Sequence, residues 1–186
     1  MPKIDLYRNV HMGQRARLFA LAVDVGSADV ADPKAVSEVI DRCLAMTGEL
    51  REHADHEDTF IHPLLRDRAP QAAAALDAEH LRLDAALAEL DAHAGALPLT
   101  PAAERPDAQH RLYLALNELI SAYLAHLHAE ETVAMPALRN SCGEDELRAA
   151  FRGFLASRTS EERALDMQRM LFALPPSVRE EIAPGA

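Results

Sequence analysis

HADHEDTFIHPLL, from His53 to Leu65, and HLHAEETVAMPAL, from His126 to Leu138, decide how this chain folds. The two stretches agree at the His, at a Glu four residues on (Glu57, Glu130) and at the acid after it (Asp58, Glu131). They agree again at Thr59 and Thr132, at Pro63 and Pro136, and at Leu65 and Leu138. In an α-helix four residues turn the chain by about 400° and raise it by about 6 Å, so each His and its Glu leave one face, one turn apart. An imidazole nitrogen and a carboxylate oxygen so placed can bind one metal ion, or one each of a close pair, when another helix supplies further ligands. A single His-x-x-x-Glu is common on solvated helices as an ordinary i,i+4 pair. Two copies with a shared tail, each set among apolar residues, point to a site.

Working outward, His11 precedes the first copy by about the stretch that separates His80 from the second. Leu18 and Leu21 follow His11 at the offsets at which Leu87 and Leu90 follow His80, so a helix carrying His and then a helix carrying His-x-x-x-Glu occurs twice. The first helix is expected over about 4–25, before the Gly26–Asp29 break. The second starts at Asp32-Pro33, with Asp as cap and Pro in the first turn, and ends around Arg68. Its inner stripe reads Val36, Val39, Ile40, Cys43, Leu44, Leu50, His53, Glu57, Phe60 and Leu64. A third helix over about 71–92 carries Leu76, His80, Leu83, Leu87 and Leu90; Pro98, Pro101 and Pro106 mark the linker after it. The fourth carries Leu112, Leu116, Leu119, Tyr123, His126, Glu130 and Val133 and ends at Asn140–Gly143. Pro63 and Pro136 fall near helix ends, and two further amphipathic helices are expected before Pro175-Pro176.

With those residues in place, the chain resembles the hemerythrin-like (HHE cation-binding) family, bacterial type, over about residues 3 to 140. The resemblance implies an all-α fold, an up-down-up-down four-helix bundle over 1–142, with a C-terminal helical extension, 143–186, packed on the bundle or forming a dimer surface. It implies metal ligands at His11, His53, Glu57, His80, His126 and Glu130, holding two non-haem iron ions, with iron favoured over zinc. The oxygen-carrying members have His-x-x-x-His on the third helix, whereas this chain has Asp84 at the second position. Four His and two Glu are few ligands for two ions, so Asp84 and His56 are candidates for additional ligands. Arg15, Tyr7 and Tyr123 stand about one turn from His11 or His126 and are candidates for supporting groups. The implied role is binding of dioxygen or another small diatomic ligand such as nitric oxide, for carriage, storage or sensing. The alternatives are a di-iron oxidase or peroxidase and a metal-dependent regulatory module.

Composition agrees: 186 residues, 49% hydrophobic, few aromatics and seven Gly favour one helical domain. A net charge of −11 with no Lys/Arg stripe argues against nucleic acid as a partner. No apolar run reaches the roughly 20 residues of a membrane span, and the N-terminus lacks a signal-peptide core, so the cytoplasm is the expected location. Cys43 and Cys142 are read as free thiols. His56-Glu57 begins like His-Glu-x-x-His, but Phe60 occupies the second His position, which removes the zinc-protease arrangement. His62, His110 and His128 lie off the inner stripes and are expected at the surface.

Overall fold

The computed structural model describes residues 4–183. Among them every regular element is helical: α1 (Arg8–Ser27), α2 (Pro33–Phe60), α3 (His62–Arg68), α4 (Pro70–Ala96), α5 (Arg105–Ala129), α6 (Met135–Ser141), α7 (Glu144–Ser157), α8 (Ser160–Leu171) and α9 (Pro176–Ile182). Two compact units emerge, one from residues 18–55 and 75–126, the other from residues 4–17, 56–74 and 127–183. No described helix is long and apolar enough to cross a membrane.

In the first unit, segments of α1, α2, α4 and α5 give their stripes to one core. Leu18, Leu21 and Val25 of α1 are buried, as are Val36, Val39, Cys43, Met46 and Leu50 of α2. Leu76, Leu83, Leu87, Leu90 and Ala94 of α4 join Leu112, Leu116, Leu119, Ile120 and Tyr123 of α5. The alternating spacing of three and four keeps each stripe on one face, and leucines dominate because they lose little rotamer freedom in a helix. Leu44, expected on the inner stripe, is 44% exposed, because it stands one residue past the buried Cys43 and is turned by about 100°. Helix starts follow the expected chemistry: Asp32 Oδ1 accepts the Lys34 amide at 2.9 Å, with Pro33 in the first turn.

In the second unit, Asp5 caps the start of α1, accepting the amides of Tyr7 and Arg8 at 3.1 and 2.9 Å. The second and fourth sequence helices are each interrupted here. α2 stops at Phe60 and α3 restarts at His62 with Pro63 in its first turn, a position where the missing N–H costs nothing. α5 passes through a five-residue π-helical turn, Glu130–Ala134, before α6 begins with Pro136 in its first turn. Pro136 cannot donate to the chain one turn back, and the wider π turn absorbs the misfit; Thr132 Oγ1 donates to the His128 carbonyl at 2.6 Å beside it. The π turn inserts one residue into the register. That is why Val133, expected inside, is 55% exposed while Ala134, Met135 and Leu138 are buried.

The C-terminal helices belong to this second unit. Phe154 of α7 meets the His56 ring edge-on at 4.9 Å and the Phe60 ring at 6.3 Å, and Arg68 of α3 pairs with Glu146 at 3.0 Å. Arg158, 8% exposed, makes two 3.1 Å bonds to Asp166. Thr159 and Glu162 cap α8 reciprocally, at 3.2 and 2.7 Å. At Gly13 the backbone of α8 comes so close that a Cβ would stand 2.6 Å from the Arg169 carbonyl oxygen. A third C-terminal helix, α9, follows the prolines at which the helical pattern was expected to end.

Candidate metal centre

Three buried side chains converge in the second unit: His11 from the first turn of α1, Glu57 from the last turn of α2, and Glu130 from the start of the π turn. Their exposures are 0%, 2% and 0%. His11 Nε2 lies 3.8 Å from Glu57 Oε1 and 3.4 Å from Glu130 Oε2. Its Nδ1 lies 2.9 Å from Glu131 Oε1, and the same oxygen takes a 2.6 Å bond from Arg15 Nη1. The Tyr7 ring sits 5.5 Å from the imidazole.

Burial alone would lower the pKa of His11; the bond to Glu131 and the charges of Glu57 and Glu130 outweigh it and raise it from 6.5 to about 9. Glu131 is held down to about 2, mainly by its bond to His11 and then by Arg15. Tyr7 is pushed well above the ordinary phenol value by burial, with Glu57, Glu130 and Asp5 adding to the effect, so it stays a neutral hydrogen-bond donor.

In the first unit, His80 of α4 and His126 of α5 face each other through their Nε2 atoms at 3.1 Å, both buried. His126 Nδ1 lies 2.9 Å from Glu79 Oε2, and the Tyr123 ring is 6.1 Å from the His126 ring. His53, half-buried, stands one turn before Glu57 on α2, and Glu130 follows His126 by one turn along its own helical run.

These groups suit a cation. Ligands about 2.1 Å from one ion stand about 3.0 Å apart in an octahedron and about 3.4 Å apart in a tetrahedron. The 3.8 and 3.4 Å separations of His11 from Glu57 and Glu130 in one unit, and the 3.1 Å separation of His80 from His126 in the other, each lie in or near that range. Two carboxylates and an imidazole brought out of water together are costly without a shared positive charge. His11, Glu57 and Glu130 thus form a His/Glu group able to hold a metal ion.

The sequence profile of the hemerythrin HHE cation binding domain matches residues 3–138. The chain belongs to this family. Comparison with curated proteins and with solved structures gives no match. The hemerythrin-family segment contains both His-x-x-x-Glu copies, His11 and His80, and a cation is the ligand the family's description assigns to the domain.

Other sequence-derived candidates sort by burial. Asp84 is exposed and stands outside the buried groups: the α4 stripe runs through His80, Leu83 and Leu87, and residue 84 lies beyond its rim. His56 is half-buried, with its ring against Phe154. Arg15 reaches the site through Glu131. His110 and His128 are exposed as expected, but His62 is fully buried, a correction: α2 ends at Phe60, and His62 opens α3 with its Nδ1 2.9 Å from Asp58 Oδ1. Sequence reasoning gave no role to Glu131 or Glu79. Glu131 was signalled by the acid that follows Glu in both motif copies; nothing in the sequence marks Glu79.

Proposed function

We propose that this chain is a hemerythrin-like protein that holds two non-haem iron ions and binds dioxygen or another diatomic molecule, such as nitric oxide, at them. The observation that carries this reading is the buried His11–Glu57–Glu130 group, whose two carboxylates each share a helical run with a further His one turn back, His53 and His126. His11, His53, His80 and His126 would be nitrogen ligands, and Glu57 and Glu130 would supply carboxylate oxygens. A mixed nitrogen and carboxylate set favours iron over zinc, which more often takes thiolates or a His-rich tetrahedron.

Bound iron would supply the open coordination position and the electrons that a diatomic ligand takes up. The chain supplies the rest. Glu131 and Glu79 accept from the Nδ1 side of His11 and His126 and so fix each ring with Nε2 toward the centre. Tyr7, kept neutral, offers a phenol O–H among the same groups. Phe154 packs edge to face against both His56 and Phe60 and gives this end of α2 an apolar flank.

Elemental analysis of protein expressed with supplemental iron tests this, followed by spectra of the reduced protein on exposure to oxygen and nitric oxide. About two irons per chain and a reversible spectral change are expected. Zinc alone, or loaded protein whose spectrum is indifferent to both gases, removes the proposal; sustained oxygen or peroxide consumption with a reductant moves it to an oxidase or peroxidase.

A further inference from the structure

Tyr7 stands just before α1 and is locked there by its own backbone. Asp5 Oδ1 accepts the Tyr7 amide at 3.1 Å, and the Tyr7 carbonyl accepts the His11 amide at 3.2 Å, an i,i+4 bond at the start of the helix. One turn therefore separates Tyr7 from His11 on one face, and the two rings stand 5.5 Å apart, tilted by 40°. The side chain is 0% exposed. Its hydroxyl is buried with it and finds no hydrogen-bond partner among the described residues. The charges that bear most on that hydroxyl are those of Glu57 and Glu130, ahead of Asp5 at the cap. The phenol thus ends beside the His11–Glu57–Glu130 group, with a donor that the protein itself leaves unused.

Packing does not account for this oxygen. A phenylalanine would fill the same space and keep the ring contact with His11, whereas an unmatched buried hydroxyl is a net cost to the fold. A cation held by His11, Glu57 and Glu130 would occupy the two carboxylates. It would also draw to its remaining coordination position an anion, or a molecule that takes up electron density there. The atom of such a guest that is not bound to the metal is an acceptor for the neighbouring O–H. Hydrogen bonds to a charged acceptor are shorter and stronger than those to a neutral one, so the same donor distinguishes the two kinds of guest.

We propose that Tyr7 donates its phenol O–H to a small ligand bound at the metal centre, and so selects ligands that carry or acquire negative charge over those that stay neutral. This rests on the reading of the chain as an iron protein, and it names the group that would sense the charge of the iron's ligand. Two roles compete with it: an O–H that braces Glu57 or Glu130 once these hold metal, and a hydroxyl that serves the fold alone.

Tyr7→Phe keeps the ring and removes only the O–H, and azide is the probe. Iron-loaded, oxidised wild type and variant are titrated with azide by visible absorbance. Iron per chain and iron affinity against a competing chelator are measured beside it, and the metal-free proteins are melted. Expected are equal iron content and iron affinity, and an azide affinity about 10- to 100-fold lower in Tyr7→Phe. The metal-free variant should melt no lower than wild type, because the hydroxyl it loses was unpaired. Equal azide affinities, or iron-loaded wild type that binds no azide, overturn the role of Tyr7 and leave the iron reading standing. A fall in iron affinity with azide affinity unchanged gives the O–H to a carboxylate. A Tyr7→Phe protein that melts several degrees lower, or does not fold, gives it to the fold, and either result overturns the proposal. Wild type that takes up no iron overturns it together with the proposed function.

Discussion

Glu131→Gln in the metal-free protein is a sharp probe of the buried site. Raising His11 from 6.5 to about 9 corresponds to about 3 kcal/mol of stability held by its protonated form. A raised pKa contributes fully below 6.5 and is lost as pH climbs through about 9. Lowering Glu131 from 4.5 to about 2 is the same pairing seen from the acid, present above 4.5 and lost as pH falls toward 2, so it is counted once. Glu131 is the largest of the carboxylate effects that raise His11, with Glu57 and Glu130 behind it. Its replacement by an uncharged acceptor should therefore cost about 2 kcal/mol near pH 6 and under about 1 kcal/mol near pH 10, where His11 is neutral and the Arg15 pair at the rim contributes little. Urea unfolding of chelator-stripped wild type and variant, followed by helix content, measures both. A cost that is equal at the two pH values, or below about 0.5 kcal/mol at the lower one, refutes the claim that Glu131 holds the His11 proton.

Two glycines should respond with opposite sign. Gly48→Ala, with nothing within 4 Å of the new Cβ, should raise stability by about 0.5–1 kcal/mol through helix propensity, whereas Gly13→Ala, blocked by the Arg169 carbonyl at 2.6 Å and Met170 Cα at 3.0 Å, should lower it by about 1–3 kcal/mol. Thermal melts of the pair check this, and a stabilised Gly13→Ala would contradict the close approach of α8. Burial, with Asp91 nearby, raises the Cys43 thiol from 9 to about 11, so thiol titration of native protein at neutral pH should modify Cys142 and spare Cys43 until denaturant is added. Leu116→Ala, at a fully buried position of α5, should cost about 2–5 kcal/mol in chemical unfolding.

The helices and their inner faces were legible because spacing of three and four is a property of the residue order itself. Leu76, Leu83, Leu87 and Leu90 lie buried where that spacing puts them. Two of the departures, at His62 and Val133, sit where the period changes. Pro63 and Pro136 signalled a disturbance, but not its form: a restarted helix in one copy and a π turn in the other. Extending a straight helix through both points put His62 outside and Val133 inside, and each proved the reverse. Glu79 was illegible for another reason, since a residue's neighbour on a different helix is not a function of sequence offset. Asp84 is exposed, about 40° beyond His80 around α4 and on the side away from Leu83 and Leu87.

What the repeat encodes is best seen at His11, where three carboxylates divide one ring, Glu131 at Nδ1 and Glu57 and Glu130 at Nε2. Doubly protonated, it gives one N–H to Glu131 and directs the other nitrogen, Nε2, toward Glu57 and Glu130. If His11 holds a metal as proposed, Nε2 would give up its proton to do so while Nδ1 keeps its own, held by Glu131 and Arg15. The outer pair would stay unchanged while the inner nitrogen exchanged a proton for a cation. A proton on His11 Nε2 would compensate part of the charge of Glu57 and Glu130, which are 2% and 0% exposed. In the proposed metal centre Glu131, the acid after Glu130, would then serve the motif, since without an outer acceptor the His11 ring could turn its proton inward and the site would have to reorganise to accept a metal.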